Sequence, residues 1–168
     1  HRSGGPRDAH GYGRFFGQGA MAILSRHPIL TEDLQDFSTL IWRDLPSSLY
    51  PMIDGTPFAG AEAHATQRLS SNGHWSLPIE LPDGPITLLT YHATPPVFDG
   101  PEDRNGRRNH DETTFWVHHL AGEIGTPPTH PFILLGDANL DPTRCDGRGD
   151  AITTLLAHPA LQDPLPDH

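Results

Sequence analysis

The sequence has little of three things: cysteine, cationic side chains and long apolar runs. Its 168 residues include one cysteine, so no disulfide can form within the chain. No apolar run approaches the roughly 18 residues that indicate a transmembrane helix, and the first residues contain no hydrophobic signal segment. Lys and Arg number 11 against 21 Asp and Glu, which gives a net charge of −10. This acidity argues against avid nonspecific binding to nucleic acid, because phosphates are repelled at long range.

Acidity is also the one indication of compartment. Cys145 stands in a polar stretch without the neighbours of a zinc cluster or of a cysteine nucleophile, so it gives no redox information. An acidic chain suits a secreted, soluble protein, and a signal segment would be lost together with a missing natural start. We therefore expect an extracytoplasmic or secreted location and no membrane span.

Composition favours one loop-rich domain. Only 35% of the residues are hydrophobic, while Gly and Pro number 17 and 18. A chain of 18.4 kDa is long enough for one hydrophobic core, so we assign residues 1–168 to a single domain. Residues 1–18 are rich in Gly and Arg and are predicted to form an irregular surface segment.

Two predicted strands end in polar residues of the kind that carry chemistry. Residues 132–135 are apolar and too few for a helix, and a glycine follows them before Asp137 and Asn139. In an extended backbone, residues two apart point to one face, so this carboxylate and amide would project together. A second predicted strand, residues 86–91, ends in the same way at His92. A carboxylate beside an amide can orient a water, bind a divalent cation and donate an N–H to a phosphate oxygen.

The polar tip at Asp137 has two other interpretations. Gly, Asp, Asn and Pro favour loops for backbone reasons alone, so a simple polar turn accounts for this stretch equally well. Asp137, Asn139 and Asp141 also match the first three ligand positions of a helix-loop-helix calcium loop. Pro142 stands where that loop needs glycine, however, and Arg148 stands where a glutamate should close the shell. Calcium binding by this loop alone is therefore disfavoured.

Apolar patterning and turn residues predict the other strands. They cover residues 20–25, 66–70, 75–81 and 86–91. Pro82 and Asp83 make a tight connection between the last two, so we expect these strands to pair in antiparallel fashion.

Two helices are predicted in the second half of the chain. The first covers residues 109–120, where Asn109 and Glu112 have the spacing of a capping box. The second covers residues 151–157, with Asp150 as its cap. Strands followed by helices indicate a mixed α/β fold of the α+β type.

Three ordered motifs resemble those of a known superfamily. They are Met21-Ala22-Ile23-Leu24-Ser25-Arg26-His27-Pro28-Ile29, Tyr91-His92-Ala93-Thr94-Pro95-Pro96, and Gly136-Asp137-Ala138-Asn139 followed by Asp141-Pro142. Over roughly residues 19 to 165 the chain is similar to the endonuclease/exonuclease/phosphatase superfamily, which includes deoxyribonuclease I, exonuclease III and the neutral sphingomyelinases. The residues from 95 to 112 resemble a bacterial subgroup that carries only the superfamily name.

This resemblance implies a fold and an activity. The fold is a four-layer αββα sandwich of two mixed, mostly antiparallel sheets flanked by helices. The activity is hydrolysis of a phosphodiester or phosphomonoester by an activated water, with Mg²⁺, or Mn²⁺ or Ca²⁺, as cofactor. By resemblance, Asp137 binds the metal and orients or deprotonates the water. Asn139 holds the water and a phosphate oxygen, and His92 stabilises the charge that develops on the phosphoryl oxygens.

Two further residues are assigned to substrate binding. Tyr91 precedes the catalytic histidine in its motif, and Arg108 ends an arginine-containing loop that follows it. A guanidinium there could reach a substrate phosphate with bidentate geometry. The alternative is a solvated loop whose arginines pair with nearby acidic residues. The expected partner is a phosphate ester, with nucleic acid as one possibility.

The chain also departs from the superfamily pattern at both ends. No Asn and metal-binding Glu precede the first motif, and no Ser-Asp-His closes the sequence after the third. We therefore expect the incomplete central portion of a larger domain, inactive alone. The alternative is a noncatalytic binding module of the same fold that holds an anionic or cation-bridged partner. We expect a nuclease-like reaction, and the sequence does not distinguish DNA, RNA, phospholipid and small phosphate esters as substrates.

Overall fold

Short elements dominate the first part of the fold and long ones the second. The structure, a computed structural model, describes residues 14–15, 17–144 and 146–164. Its strands are β1 (Gln35–Asp36), β2 (Met52–Ile53), β3 (Thr56–Pro57), β4 (His74–Leu81), β5 (Gly84–His92) and β6 (Phe132–Asp137). Its α-helices are α1 (Gly60–Thr66), α2 (Arg104–Leu120) and α3 (Gly149–Leu156). Single 3₁₀ turns lie at Thr31–Asp33 and Trp42–Asp44.

The hairpin of β4 and β5 is the centre of the main sheet. The two strands pair antiparallel from His74 opposite Tyr91 to Leu81 opposite Gly84, which confirms the predicted pairing and turn. β1 pairs with β4 on one side and β6 with β5 on the other, giving the order β1-β4-β5-β6. A separate small hairpin joins β2 to β3.

The pairing of β5 with β6 is parallel, and it sets the position of the candidate site. Parallel neighbours need a long crossover, and here α2 supplies it. The register places Tyr91 opposite Gly136 and His92 opposite Asp137. A Cβ at Gly136 would overlap the carbonyl oxygen of Tyr91, so only glycine permits this approach. The predicted strand ends therefore meet at one edge of the sheet.

One face of the sheet packs against α2 and α3 to form the core. Trp116 and Phe115 of α2 are fully buried, and the ring of Trp116 meets that of Tyr91 with centroids 6.0 Å apart. Leu89 of β5 and Leu155 of α3 complete the same cluster. Burying large aromatic side chains supplies much of the stability of such a layer.

The strand β6 is more exposed than the sequence predicts. β6 is a strand, as expected, but Ile133 and Leu135 are 44% and 48% exposed, and Phe132 and Leu134 on the other side are only partly buried. The α/β class is confirmed by this mixture of three helices with a four-stranded and a two-stranded sheet, an α+β sandwich. Among the described residues, none of the helices combines the length and the apolar character needed to cross a membrane.

Two predicted strands are wrong. Residues 20–25 contain no strand, and the side chain of Leu24 is 93% exposed. Residues 66–70 begin at the last residue of α1 and continue as an extended segment with one bridge, between Arg68 and Ile41. Residues 20–25 form a short apolar run that β-propensity favours, but burial depends on what packs above it, and Leu24 stays exposed. Residues 66–70 contain one large apolar side chain, Leu69, which is buried without belonging to a strand.

Both predicted helices exist, but their caps are wrong. α2 begins at Arg104, so Asn109 and Glu112 lie inside it, and Asp103 is the preceding residue. α3 begins at Gly149, so Asp150 occupies its second position. The predicted surface segment, residues 1–18, lies mostly outside the described residues; its described part is exposed turn and bend.

Candidate active site

The imidazole of His92 and the carboxylate of Asp137 face each other at the rim of the sheet. Nε2 of His92 lies 3.9 Å from Oδ2 of Asp137, with 43% and 64% of the two side chains exposed. This distance is too long for a direct hydrogen bond, and it leaves room for one atom of a bound group to contact both side chains. The structure thus brings together two residues that are 45 positions apart in the chain.

A tight turn holds Asn139 beside Asp137. The backbone N–H of Asn139 donates to Oδ1 of Asp137 at 2.9 Å, and Asn139 adopts a left-handed φ of 49°. Asparagine tolerates this conformation better than most residues. Nδ2 of Asn139 donates to the carbonyl of Ala93 at 2.9 Å. The Asn139 amide therefore ties the tip of β6 to the tip of β5.

An open cleft of about 310 Å³ lies next to His92. Its lining includes Ser71, Asn72 and Thr94. The hydroxyl of Ser71 donates to the carbonyl of His92 at 3.1 Å, so the segment before β4 is fixed against the end of β5. Sequence reasoning missed Ser71 and Asn72. A signal for them existed, since an antiparallel hairpin places the start of its first strand beside the end of its second.

Two fully buried polar residues of α2 lie beneath the cleft. The carboxylate of Glu112 accepts hydrogen bonds from the backbone of Ser71 and Thr94, and the amide of Asn109 donates to the carbonyls of Thr94 and Ala138. These are the residues that the sequence assigned to a capping box. Their local spacing fits that motif, but their partners are 15 to 41 residues away.

The two residues assigned to substrate binding are both buried. The ring of Tyr91 packs in the core with 2% of its surface exposed, and burial raises its pKa to about 12. The guanidinium of Arg108 donates to three backbone carbonyls, those of residues 68, 69 and 70. Core packing of the Tyr91 ring and the hydrogen bonds of the Arg108 guanidinium hold both side chains inside the fold, so neither is part of the proposed site.

The donor set for a cation is small. Among residues 14–15, 17–144 and 146–164, no group of three or more His, Cys, Asp or Glu side chains is arranged to hold a metal. Oδ1 of Asp141 accepts hydrogen bonds from Thr143 and from the backbone of Arg144, and these bonds lower its pKa. Asp141 therefore closes its own turn. Mg²⁺ is commonly held by one or two carboxylates with substrate phosphate and water, so Asp137 fits as one ligand.

Comparison with known protein families decides the class. The model of the endonuclease/exonuclease/phosphatase family matches residues 1–167. The chain belongs to this family. Comparison with curated proteins and with solved structures gives no significant match.

Membership of the family supports a general activity. Endonucleases, exonucleases and phosphatases hydrolyse phosphodiester or phosphate ester bonds, so the family supports a hydrolase of that kind. The family generally depends on a divalent metal, and its substrates are phosphate esters or nucleic acids. The match names no particular substrate and no particular metal.

Proposed function

We propose that this endonuclease/exonuclease/phosphatase domain hydrolyses a phosphodiester in a nuclease-like reaction that requires Mg²⁺. The observation that carries the proposal is the pairing of His92 with Asp137, 3.9 Å apart, on the exposed rim of the sheet. Asn139 stands beside them in a fixed turn, and an open cleft adjoins His92. Family membership supplies the reaction class.

Each side chain has a role that its chemistry supports. The carboxylate of Asp137 accepts a proton from the attacking water or orients that water toward phosphorus. The imidazole of His92 donates a hydrogen bond to a phosphoryl oxygen as negative charge develops there. One N–H of the Asn139 amide is engaged with Ala93, and the amide oxygen remains to orient the water.

Phosphoryl transfer suits this arrangement. Its barrier is lowered chiefly by positioning the nucleophile and by neutralising charge on the phosphoryl oxygens. Groups at the ends of paired strands are held rigidly, so they need little reorganisation during the reaction. A bound Mg²⁺, with Asp137 as one ligand, would add charge neutralisation and lower the pKa of a coordinated water.

The test is hydrolysis of bis(p-nitrophenyl) phosphate by the complete gene product, with and without Mg²⁺. We expect Asp137→Ala to lower kcat/KM at least ~10²-fold, the scale of losing one transition-state contact. Asp83→Ala is the matched control, because Asp83 is an exposed carboxylate in the turn between β4 and β5, at the end of the sheet away from Asp137. Undiminished hydrolysis by the Asp137 variant would reject the proposal.

A second candidate function follows from the small donor set. With no group of three potential metal ligands among the described residues, a noncatalytic module that binds an anionic or cation-bridged partner is the alternative. Calorimetric titration of this chain with Mg²⁺ and with Ca²⁺ separates the two. Weak binding of either cation without substrate agrees with the enzyme, whereas tight binding without hydrolysis favours the module. A panel of DNA, RNA, phospholipid and small phosphate esters then identifies the substrate.

A further inference from the structure

We propose that Asn109 and Glu112 are positioning residues that fix three backbone segments of the active site relative to one another. These segments, the cleft walls, lie before β4, after β5 and at the end of β6. This inference rests on the proposed function, because it assigns the pair a role in placing His92 and Asp137. We call Asn109 and Glu112 the buried polar pair. They are three residues apart on α2 and therefore lie on the same face of the helix.

Glu112 joins the segment before β4, at Ser71, to the segment after β5, at Thr94. Its Oε1 accepts the backbone N–H of Ser71 at 2.6 Å, and its Oε2 accepts the backbone N–H of Thr94 at 2.6 Å. Ser71 and Thr94 both line the cleft beside His92. Both oxygens of this carboxylate are used, so one side chain holds the two backbone segments together.

Asn109 joins the segment after β5 to the tip of β6. Its Nδ2 donates to the carbonyl of Thr94 and to the carbonyl of Ala138, both at 2.8 Å. Ala138 lies between the two proposed catalytic residues of β6, Asp137 and Asn139. The two hydrogens of one amide nitrogen thus hold the strand end after His92 and the strand end after Asp137 at a fixed separation.

Burying the side chains of Asn109 and Glu112 costs free energy, which indicates a role other than packing the core. Both side chains are fully buried, and burying a polar group is costly unless hydrogen bonds compensate it. Both oxygens of Glu112 and the Nδ2 of Asn109 are hydrogen-bonded, whereas the Oδ1 of Asn109 has no hydrogen-bond partner among the described residues. Neighbouring positions of α2 are filled by Phe115 and Trp116, which form ordinary core contacts. The buried polar pair instead directs four hydrogen bonds to three backbone segments, and each segment adjoins the site.

The sheet itself does not need these bonds. β5 and β6 are paired by their own backbone from residue 87 onward, and the N–H of Ala93 donates to the carbonyl of Asp137 at 2.9 Å. Loss of the buried polar pair is therefore expected to shift the cleft walls while the strands stay paired. A displacement of about 1 Å costs on the order of 10²-fold in rate.

A matched pair of isosteric substitutions tests the inference in the complete gene product. Glu112→Gln replaces one acceptor oxygen by an NH₂ group that faces a backbone N–H. Asp111→Asn makes the same change at the preceding, equally buried residue, whose Oδ2 accepts from the indole of Trp42 and the backbone of Leu49 instead. We expect Glu112→Gln to lower kcat by roughly 10- to 10²-fold with little change in KM. We expect Asp111→Asn to lower stability and leave kcat within about twofold.

An NMR measurement gives a readout that does not depend on activity. Glu112→Gln should speed hydrogen exchange at the amides of Ser71 and Thr94 and shift the resonances of His92 and Asp137. Asp111→Asn should perturb the indole of Trp42 instead. If Glu112→Gln does not give stable protein, Asn109→Ala, which removes two donated hydrogen bonds and leaves the net charge unchanged, is compared in the same way.

The outcomes separate the two proposals. Exchange and resonance changes confined to the cleft walls, with a kcat loss in Glu112→Gln alone, support the inference. Equal kcat losses in both variants, or unchanged His92 and Asp137 resonances in Glu112→Gln, overturn it and leave a structural role. If the unmodified protein hydrolyses nothing, the proposed function fails, and the exchange and resonance measurements alone then decide whether the pair fixes the walls.

Discussion

Substitution of Gly136 by alanine should separate the two strands that carry the site. The added Cβ would lie 2.8 Å from Cδ1 and 3.1 Å from the carbonyl carbon of Tyr91, and closer still to the carbonyl oxygen. Carbon atoms in ordinary contact are about 3.5–4.0 Å apart, so the shortfall is roughly 0.5–1 Å. Tyr91 cannot yield, because its backbone lies inside the sheet and its ring lies in the core.

The magnitude follows from these contacts. Overpacking a close-packed site costs about 1–3 kcal/mol, and each ladder hydrogen bond that stretches adds about 1 kcal/mol. We expect Gly136→Ala to lower the free energy of unfolding by about 3 kcal/mol, measured by urea denaturation with tryptophan fluorescence. Since one kilocalorie shifts Tm by about 2–4 °C for a chain of this size, Tm should fall by roughly 10 °C.

Gly100→Ala is the matched control. A Cβ there would also be crowded, at 2.5 Å, but its neighbour is the carboxylate oxygen of Glu102, the far end of a flexible side chain. Rotation of Glu102 relieves that contact, so we expect a change below about 1 kcal/mol. Equal effects of the two substitutions, or a loss below about 1 kcal/mol for Gly136→Ala, would refute the reasoning.

Two further predictions concern buried ionisable side chains. Burial lowers the pKa of His74 and of His119 below the ordinary 6.5, so the unfolded chain binds protons that the folded chain does not. The free energy of unfolding should therefore be highest above pH 6.5 and should fall below that pH, by up to about 1.4 kcal/mol per pH unit for each histidine. A series of urea denaturations that gives the same free energy from pH 7.5 to 5 would contradict this. Arg108→Ala should cost about 3 kcal/mol, because it leaves carbonyls such as that of the buried Leu69 without their donor. Unchanged stability with a raised KM would instead restore Arg108 as a substrate ligand.

The parts of the fold that sequence reasoning predicts correctly are those set by local signals. The hairpin of β4 and β5 follows from two apolar runs joined by Pro82 and Asp83. The meeting of His92 with Asp137 agrees with two predicted strands that both end in polar residues, but nothing local in the sequence predicts that β5 and β6 are parallel neighbours.

The parts that it misses depend on distant partners. Asn109 and Glu112 have the spacing of a capping box, and nothing local distinguishes that motif from a pair that reaches loops up to 41 residues away. The apolar residues 20–25 satisfy the pattern of a buried strand, yet Leu24 is exposed, because burial is decided by what lies above a strand. Arg108 stands in a polar stretch of the sequence, and its hydrogen bonds to the carbonyls of residues 68–70 depend on the folded structure.

The open edge at β6 has a consequence for handling the protein in solution. Among the described residues β6 pairs with β5 only, and Ile133 and Leu135 are partly exposed on it. Unpaired strand edges with apolar side chains favour self-association, and a net charge of −10 opposes it by mutual repulsion. Added salt weakens that repulsion, since the screening length shrinks to about 10 Å at 0.1 M. Dilute, low-salt buffers are therefore the conditions in which single molecules should prevail.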